Sequence, residues 1–136
     1  MATLSTGVLV DTHVISDVLY NDPVWSEWSA QQLGLHFGRL LINPIIYAEL
    51  CYAAGTPTEV TTIMRQLDLG YAELPVASLF EAAQAYRAYR KRGGIKTAPL
   101  PDFFIGAHAQ QSGLSLLTRD SGKYTTYFPA ARLICP

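Results

Sequence analysis

GVLVDTHVISDVL, residues 7–19, carries two periodicities back to back. Val8, Leu9 and Val10 form a short unbroken apolar run, the mark of a strand buried on both faces. Immediately after it, Val14, Ile15, Val18 and Leu19 recur at helical spacing. The alternation continues outward. A helix is expected from Pro23 to about Phe37, with Asp22 as its cap and Pro23 as its first residue. RLLIN (39–43) reads as a strand, and Asn43-Pro44 opens a helix that Gly55 ends. Residues 58–70 read as a helix, 71–76 as a short strand, and 77–92 as a long helix stopped by Gly93-Gly94. A loop over 95–101, holding Pro99 and Pro101, leads to a helix over 102–113, a strand over 114–118 and a last strand over 131–135. Short apolar strands alternating with helices predict an α/β fold: a three-layer α/β/α sandwich on a mostly parallel central sheet, with residues 1–136 as one domain.

The chain has 136 residues, 49% hydrophobic and 15% charged, which suits one well-packed core and excludes disorder. Its apolar excess predicts that a partner chain covers part of the surface. No stretch reaches the roughly 18 uncharged apolar residues of a membrane span, and the N-terminus lacks a signal-peptide pattern, so a cytosolic protein is expected. Cys51 and Cys135 are too few for a disulfide framework or a zinc site and read as buried small apolar residues. The net charge of −1 gives no global attraction to nucleic acid. Five cations cluster at Arg87, Arg90, Lys91, Arg92 and Lys96, where they suit the negative end of a helix dipole as well as a phosphate patch.

The eleven Asp and Glu residues fall into two groups. Asp11 ends the first strand, and Asp120 follows LSLLT after one Arg. Glu49 lies on the inward stripe of its helix, and Asp102 shares a face with Ile105, Gly106 and Ala109. In parallel sheets functional sites form at the carboxyl ends of the strands, where these four acids are expected to converge. Converging carboxylates share protons or hold a cation, and an all-oxygen donor set favours Mg²⁺ or Mn²⁺. Such an ion orients and acidifies a water for attack on a phosphodiester. Asp17, Asp22, Glu27, Glu59, Asp68, Glu73 and Glu81 read as surface groups or caps, Asp17 having the best claim among them to an auxiliary role. His108 reads as a helix-surface or interface residue, and the tryptophans and tyrosines as core or interface rather than base-stacking groups. Arg119 is open between a phosphate contact and a carboxylate partner.

VLVDTHVISDVL (8–19), INPIIYAEL (42–50), PDFFIGAHAQQSGLSLLTRD (101–120) and YFPAARLI (127–134) resemble, in order and spacing, the blocks of the PIN-domain ribonucleases, and specifically the VapC-type toxins of bacterial toxin–antitoxin systems. The resemblance implies Mg²⁺- or Mn²⁺-dependent cleavage of RNA, a cognate VapB-type antitoxin that blocks the site, and a toxin homodimer. It places the four acids of the family on Asp11, Glu49, Asp102 and Asp120, with the hydroxyl two positions before the last on Thr118. His13 stands where many members carry Asn, a donor that also titrates and ligates transition metals. PDFF departs from the small aliphatic residues common after the third acid, which bears on packing more than on chemistry. His13 also stands where a haloacid-dehalogenase phosphatase needs a second Asp, and a receiver domain gives no role to Glu49 or Asp102. A PIN-like module that binds RNA or protein without cleaving is the stronger rival. Structure-selective DNA nucleases of the flap type need larger DNA-binding elements than this chain has room for.

Overall fold

The computed structural model describes residues 7–93 and 100–136. The elements run β1 (Val8–Val10), α1 (Thr12–Leu19), α2 (Ser26–Leu35), β2 (Leu40–Ile42), α3 (Pro44–Ala54), α4 (Pro57–Gln66), β3 (Gly70–Tyr71), α5 (Val76–Lys91), α6 (Leu100–Ser112), β4 (Ser115–Leu117) and β5 (Arg132–Ile134). The five strands form one sheet in the order β3-β2-β1-β4-β5, and every pairing is parallel. Val8, Leu9 and Val10 are all buried, as are Leu116 and Leu117. Because successive strand side chains point to opposite faces, helices cover both sides of the sheet, giving the three-layer α/β architecture.

Local signals explain the helix ends. Asn43 Oδ1 accepts the Ile46 N–H at 2.9 Å and Pro44 opens α3, which Gly55 ends at φ +94°. Thr56 caps α4 in the same way through the Glu59 N–H. Asp22 caps as expected, accepting from Val24 and Trp25, but it closes a separate turn, and regular α2 spans Ser26–Leu35 rather than starting at Pro23. The strand expected over 71–76 shrinks to Gly70–Tyr71 because β2 ends opposite it, and Pro75, which has no N–H to donate, stands at the cap of α5. Helix α4 stops at Gln66, short of the expected 70, and Asp68 takes φ +53° in the turn that follows. Leu100 and Pro101, expected in a loop, form the first turn of α6, where a proline costs no hydrogen bond. The rest of that expected loop, with Lys96, and the helix-stop Gly94 before it lie outside the described residues.

Phe103 follows Asp102 into an aromatic cluster, its ring centroid 5.2 Å from Tyr86 and 5.9 Å from Phe128. One turn on, α6 presses so closely on Phe128 that a Cβ on Gly106 would sit 2.5 Å from the ring. The aromatic pair after the third acid thus seats the helix that carries it. Other expectations, about burial, fail as well. His108 is buried, its Nδ1 3.1 Å from Asn43 Nδ2, because α6 is enclosed nearly all round and the Asn43 amide offers it a donor. Cys51 is only half-buried and Cys135 is exposed beyond the edge strand β5. Glu81 is half-buried and accepts from Gln110 across the α5–α6 seam. Among the described residues no helix is long and apolar enough to cross a membrane.

Candidate active site

β1 lies at the centre of the sheet, and from it the chain builds outward through β2 and β3, then crosses to the other side of β1 to place β4. The direction of winding therefore reverses between β1 and β4, and in parallel sheets a crevice opens at that point beyond the carboxyl ends of the strands. Asp11 follows β1 and Thr118 follows β4, so the two flank the reversal.

Asp11 is 2% exposed. Its Oδ2 accepts from the Thr118 hydroxyl at 2.8 Å and the Tyr124 hydroxyl at 2.9 Å, and lies 3.2 Å from Lys123 Nζ. The same ammonium lies 3.4 Å from Asp102 Oδ1, so β1 and α6 each bring one carboxylate to a single positive charge. Burial raises the Asp102 carboxyl above its usual range, and the Asp11 charge adds to this against Lys123 and His13. Burial works to deprotonate Lys123, but Asp11 and Asp102 outweigh it and hold the ammonium charged above its ordinary range. Burial, with the nearby carboxylates, pushes the Tyr124 phenol far up, so it stays a donor.

Glu49 joins the rim through Thr12, whose hydroxyl donates to Glu49 Oε1 and so ties α1 to α3. His13 is exposed in the first turn of α1, close enough for its charge to favour ionised Asp102. Asp120 is exposed. Its amide N–H donates to Thr118 Oγ1 at 3.1 Å, while its carboxylate has no hydrogen-bond or ion-pair partner among the described residues. The structure thus brings Asp11 and Asp102 together, links Glu49 and Asp120 to the rim through neighbouring hydroxyls, and places no three His, Cys, Asp or Glu side chains in metal-ligating geometry among the described residues.

Three further groups matter here. Lys123 and Tyr124 belong to a polar run after β4, around the short 3-10 turn Ser121–Lys123, where the sequence shows a turn but not their part in the site. Asp17, expected at the surface, is 3% exposed because Arg119 reaches it with two hydrogen bonds, of 2.8 and 3.2 Å. Arg119 is therefore a carboxylate partner. Beside the rim a groove of about 780 Å³ opens between α1 and α3, bordered by Thr12, His13, Glu49, Arg119, Tyr20 and the 93%-exposed Tyr52.

An all-parallel α/β domain with carboxylates gathered at its strand-order reversal places them where such sheets bind ligands. The family model of the PIN domain matches residues 8–128, and the chain belongs to the PIN-domain family. Its fold is similar to the DNA-bound VapBC complex of Salmonella typhimurium (TM-score 0.71, 19% identity, covering 95% of this chain and 97% of that one). It is likewise similar to VapBC2 of Rickettsia felis bound to a promoter DNA fragment (0.68, 18%, 94% and 97%) and to FitAcB of Neisseria gonorrhoeae (0.67, 23%, 93% and 96%). No curated protein matches the chain.

Proposed function

We propose that this protein is a Mg²⁺- or Mn²⁺-dependent endoribonuclease and the toxin of a toxin–antitoxin pair. The observation that carries the reading is the meeting of Asp11 and Asp102, from distant segments, on one cationic point at the sheet's reversal. The donor set suits a hard cation. It is entirely oxygen, and contacts among the described residues engage Oδ2 of Asp11 and Oδ1 of Asp102, leaving the other oxygen of each carboxylate to an ion. Asp11, Asp102 and Asp120 would hold it, with Glu49 as the fourth catalytic acid. The chemistry the ion supplies when bound is an acidified, oriented water and neutralisation of charge developing on the phosphodiester.

The chain's own groups do the rest. Thr118 and Tyr124 donate to Asp11 and fix its carboxylate in a buried position. Glu49, oriented by Thr12, stands at the mouth of the groove, placed to take a proton from the attacking water. Lys123 keeps a positive charge at the rim for the substrate phosphate, and His13 serves as an auxiliary donor. The toxin assignment is supported by family membership and by likeness of fold, over nearly the full length of both chains, to complexes whose names include VapBC and FitAcB. With it go a cognate VapB-type antitoxin, a homodimer and a cytosolic place of work.

One observation favours a second reading. Lys123 already satisfies both acids, as it would in a PIN-like module that binds RNA or protein without cleaving. Total cellular RNA incubated with the purified protein in Mg²⁺, Mn²⁺ or EDTA separates the two. Discrete fragments that need the metal, and that fall more than about 100-fold in Asp102→Asn, are expected, since even outer-shell changes at metal sites cost about 10- to 100-fold. RNA binding without cleavage in any metal, with antitoxin absent, would establish the binding module instead.

A further inference from the structure

Asp120 is the one proposed site acid whose side chain nothing in the described structure holds. Its placement must therefore come from its backbone. Three consecutive residues after β4 meet three different surroundings. Thr118 donates to Asp11, Arg119 to Asp17, and Asp120 is exposed to solvent. The Arg119 contact is unusually complete for an arginine that is 26% exposed. Its Nε donates to Asp17 Oδ2 at 2.8 Å and its terminal amine to Oδ1 at 3.2 Å, a fork geometry that fixes orientation as well as charge. Ser29 of α2 donates to the same Oδ2 at 2.9 Å, and the guanidinium carbon lies 5.4 Å from the centre of the Trp25 ring. The guanidinium is thus packed between α1 and the turn before α2. Asp17 is 3% exposed, and without Arg119 it would be a buried uncompensated charge.

We infer that the Asp17–Arg119 ion pair is the positioning device for Asp120: it pins the segment after β4 to the α1–α2 hairpin and so sets where the fourth carboxylate projects. The inference rests on the proposed role of Asp120 in holding the ion. Asp17 and Arg119 are positioning residues, acting through the backbone and touching neither substrate nor metal. Fork geometry matters to this role, so a lysine in place of Arg119 keeps the charge and loses the orientation.

The test uses the full-length protein with Arg119→Met, Arg119→Lys, Asp17→Asn, Asp120→Asn and the double variant Arg119→Met/Asp120→Asn. The first readout is amide hydrogen exchange in the metal-free protein. Arg119→Met is expected to speed exchange of the Asp120 amide about tenfold or more while β1 and β2 amides stay within about twofold, with Arg119→Lys intermediate. The second is Mn²⁺ affinity by electron paramagnetic resonance. Arg119→Met and Asp17→Asn are each expected to weaken it about tenfold, and Arg119→Met to add nothing once Asp120 is Asn. Unchanged exchange at Asp120, exchange raised equally across the sheet, or Mn²⁺ losses that multiply in the double variant would each overturn the positioning role. If Arg119→Met fails to fold, Arg119→Lys and Asp17→Asn decide the same question. Absence of Mn²⁺ binding in the wild type would overturn the metal reading, while the exchange result would still decide whether the ion pair holds Asp120.

Discussion

The two sides of the strand-order reversal solve the same problem differently. On the β1 side, Asp11 is buried and its Oδ2 is met by two hydroxyls and an ammonium. On the β4 side, Asp120 is exposed, and only its backbone is held. A carboxylate removed from water must be given partners or it destabilises the fold, whereas one left in water costs nothing but keeps its freedom. The first acid is therefore built into the core and the fourth is mounted on it. Their substitution by the isosteric amide should separate what chemistry needs from what folding needs.

The largest effect is expected on cleavage. Asp11→Asn and Asp120→Asn should each reduce it by more than about 100-fold, read as initial rates on the mapped RNA. Stability should divide them. Asp11→Asn leaves Lys123 facing one carboxylate instead of two and is expected to cost about 1–3 kcal/mol in urea unfolding, while Asp120→Asn stays within about 0.5 kcal/mol. Equal losses of stability would mean that Asp120 is held by contacts as Asp11 is, and that the contrast between the two sides does not exist.

Tyr124→Phe tests the built-in side alone. The ring is fully buried and the hydroxyl donates to Asp11 Oδ2, so the variant keeps the packing and deletes one donor to a buried charge. A loss of about 1–3 kcal/mol is expected, the cost of leaving a buried acceptor one donor short. Cleavage in the same variant should fall far less than in Asp11→Asn, because Thr118 and Lys123 still hold the carboxylate.

The same division governs what the sequence made legible. Asp11, Glu49, Asp102 and Asp120 stood out because a carboxylate beside an apolar run is an anomaly that local pattern alone exposes. The alternation of apolar strands and helices likewise led to the parallel sheet, and its shortest strand was the most overdrawn, since β3 is cut by what lies opposite it in β2. Lys123 and Tyr124 were not legible. SGKYTTY has the composition of a solvated turn, and the fourfold spacing of the buried Tyr124 and Phe128 is too short a signal to mark a core face. Asp17 looked like a surface acid because its partner lies 102 residues away. His108 looked peripheral because nothing in sequence pairs it with Asn43, 65 residues back. Charges announce themselves locally, but their compensation is tertiary.

The smallest effect expected concerns that last pair, which joins the helix of Glu49 to the helix of Asp102. Asn43 Oδ1 is committed to the Ile46 N–H, so its amide group faces His108 as a donor, and the imidazole must accept through Nδ1. A proton on Nδ1 abolishes that contact. Burial accordingly lowers the His108 pKa from its ordinary 6.5. In the range below 6.5 the unfolded chain takes up a proton that the folded chain resists, so the contribution is complete above that value and is lost as pH falls towards the folded value, at no more than about 1.4 kcal/mol per unit. Asp102, whose carboxyl is shifted upward, acts in the opposite sense, so wild type alone does not isolate the histidine. His108→Gln does, because its amide oxygen accepts from Asn43 and does not titrate. Urea unfolding at pH 7.5 and 5.5 should show wild type losing more stability than the variant across that interval. An equal loss in both would mean that the seam takes up the proton without cost, and that this buried group, unlike Asp11, is not bound to its partner.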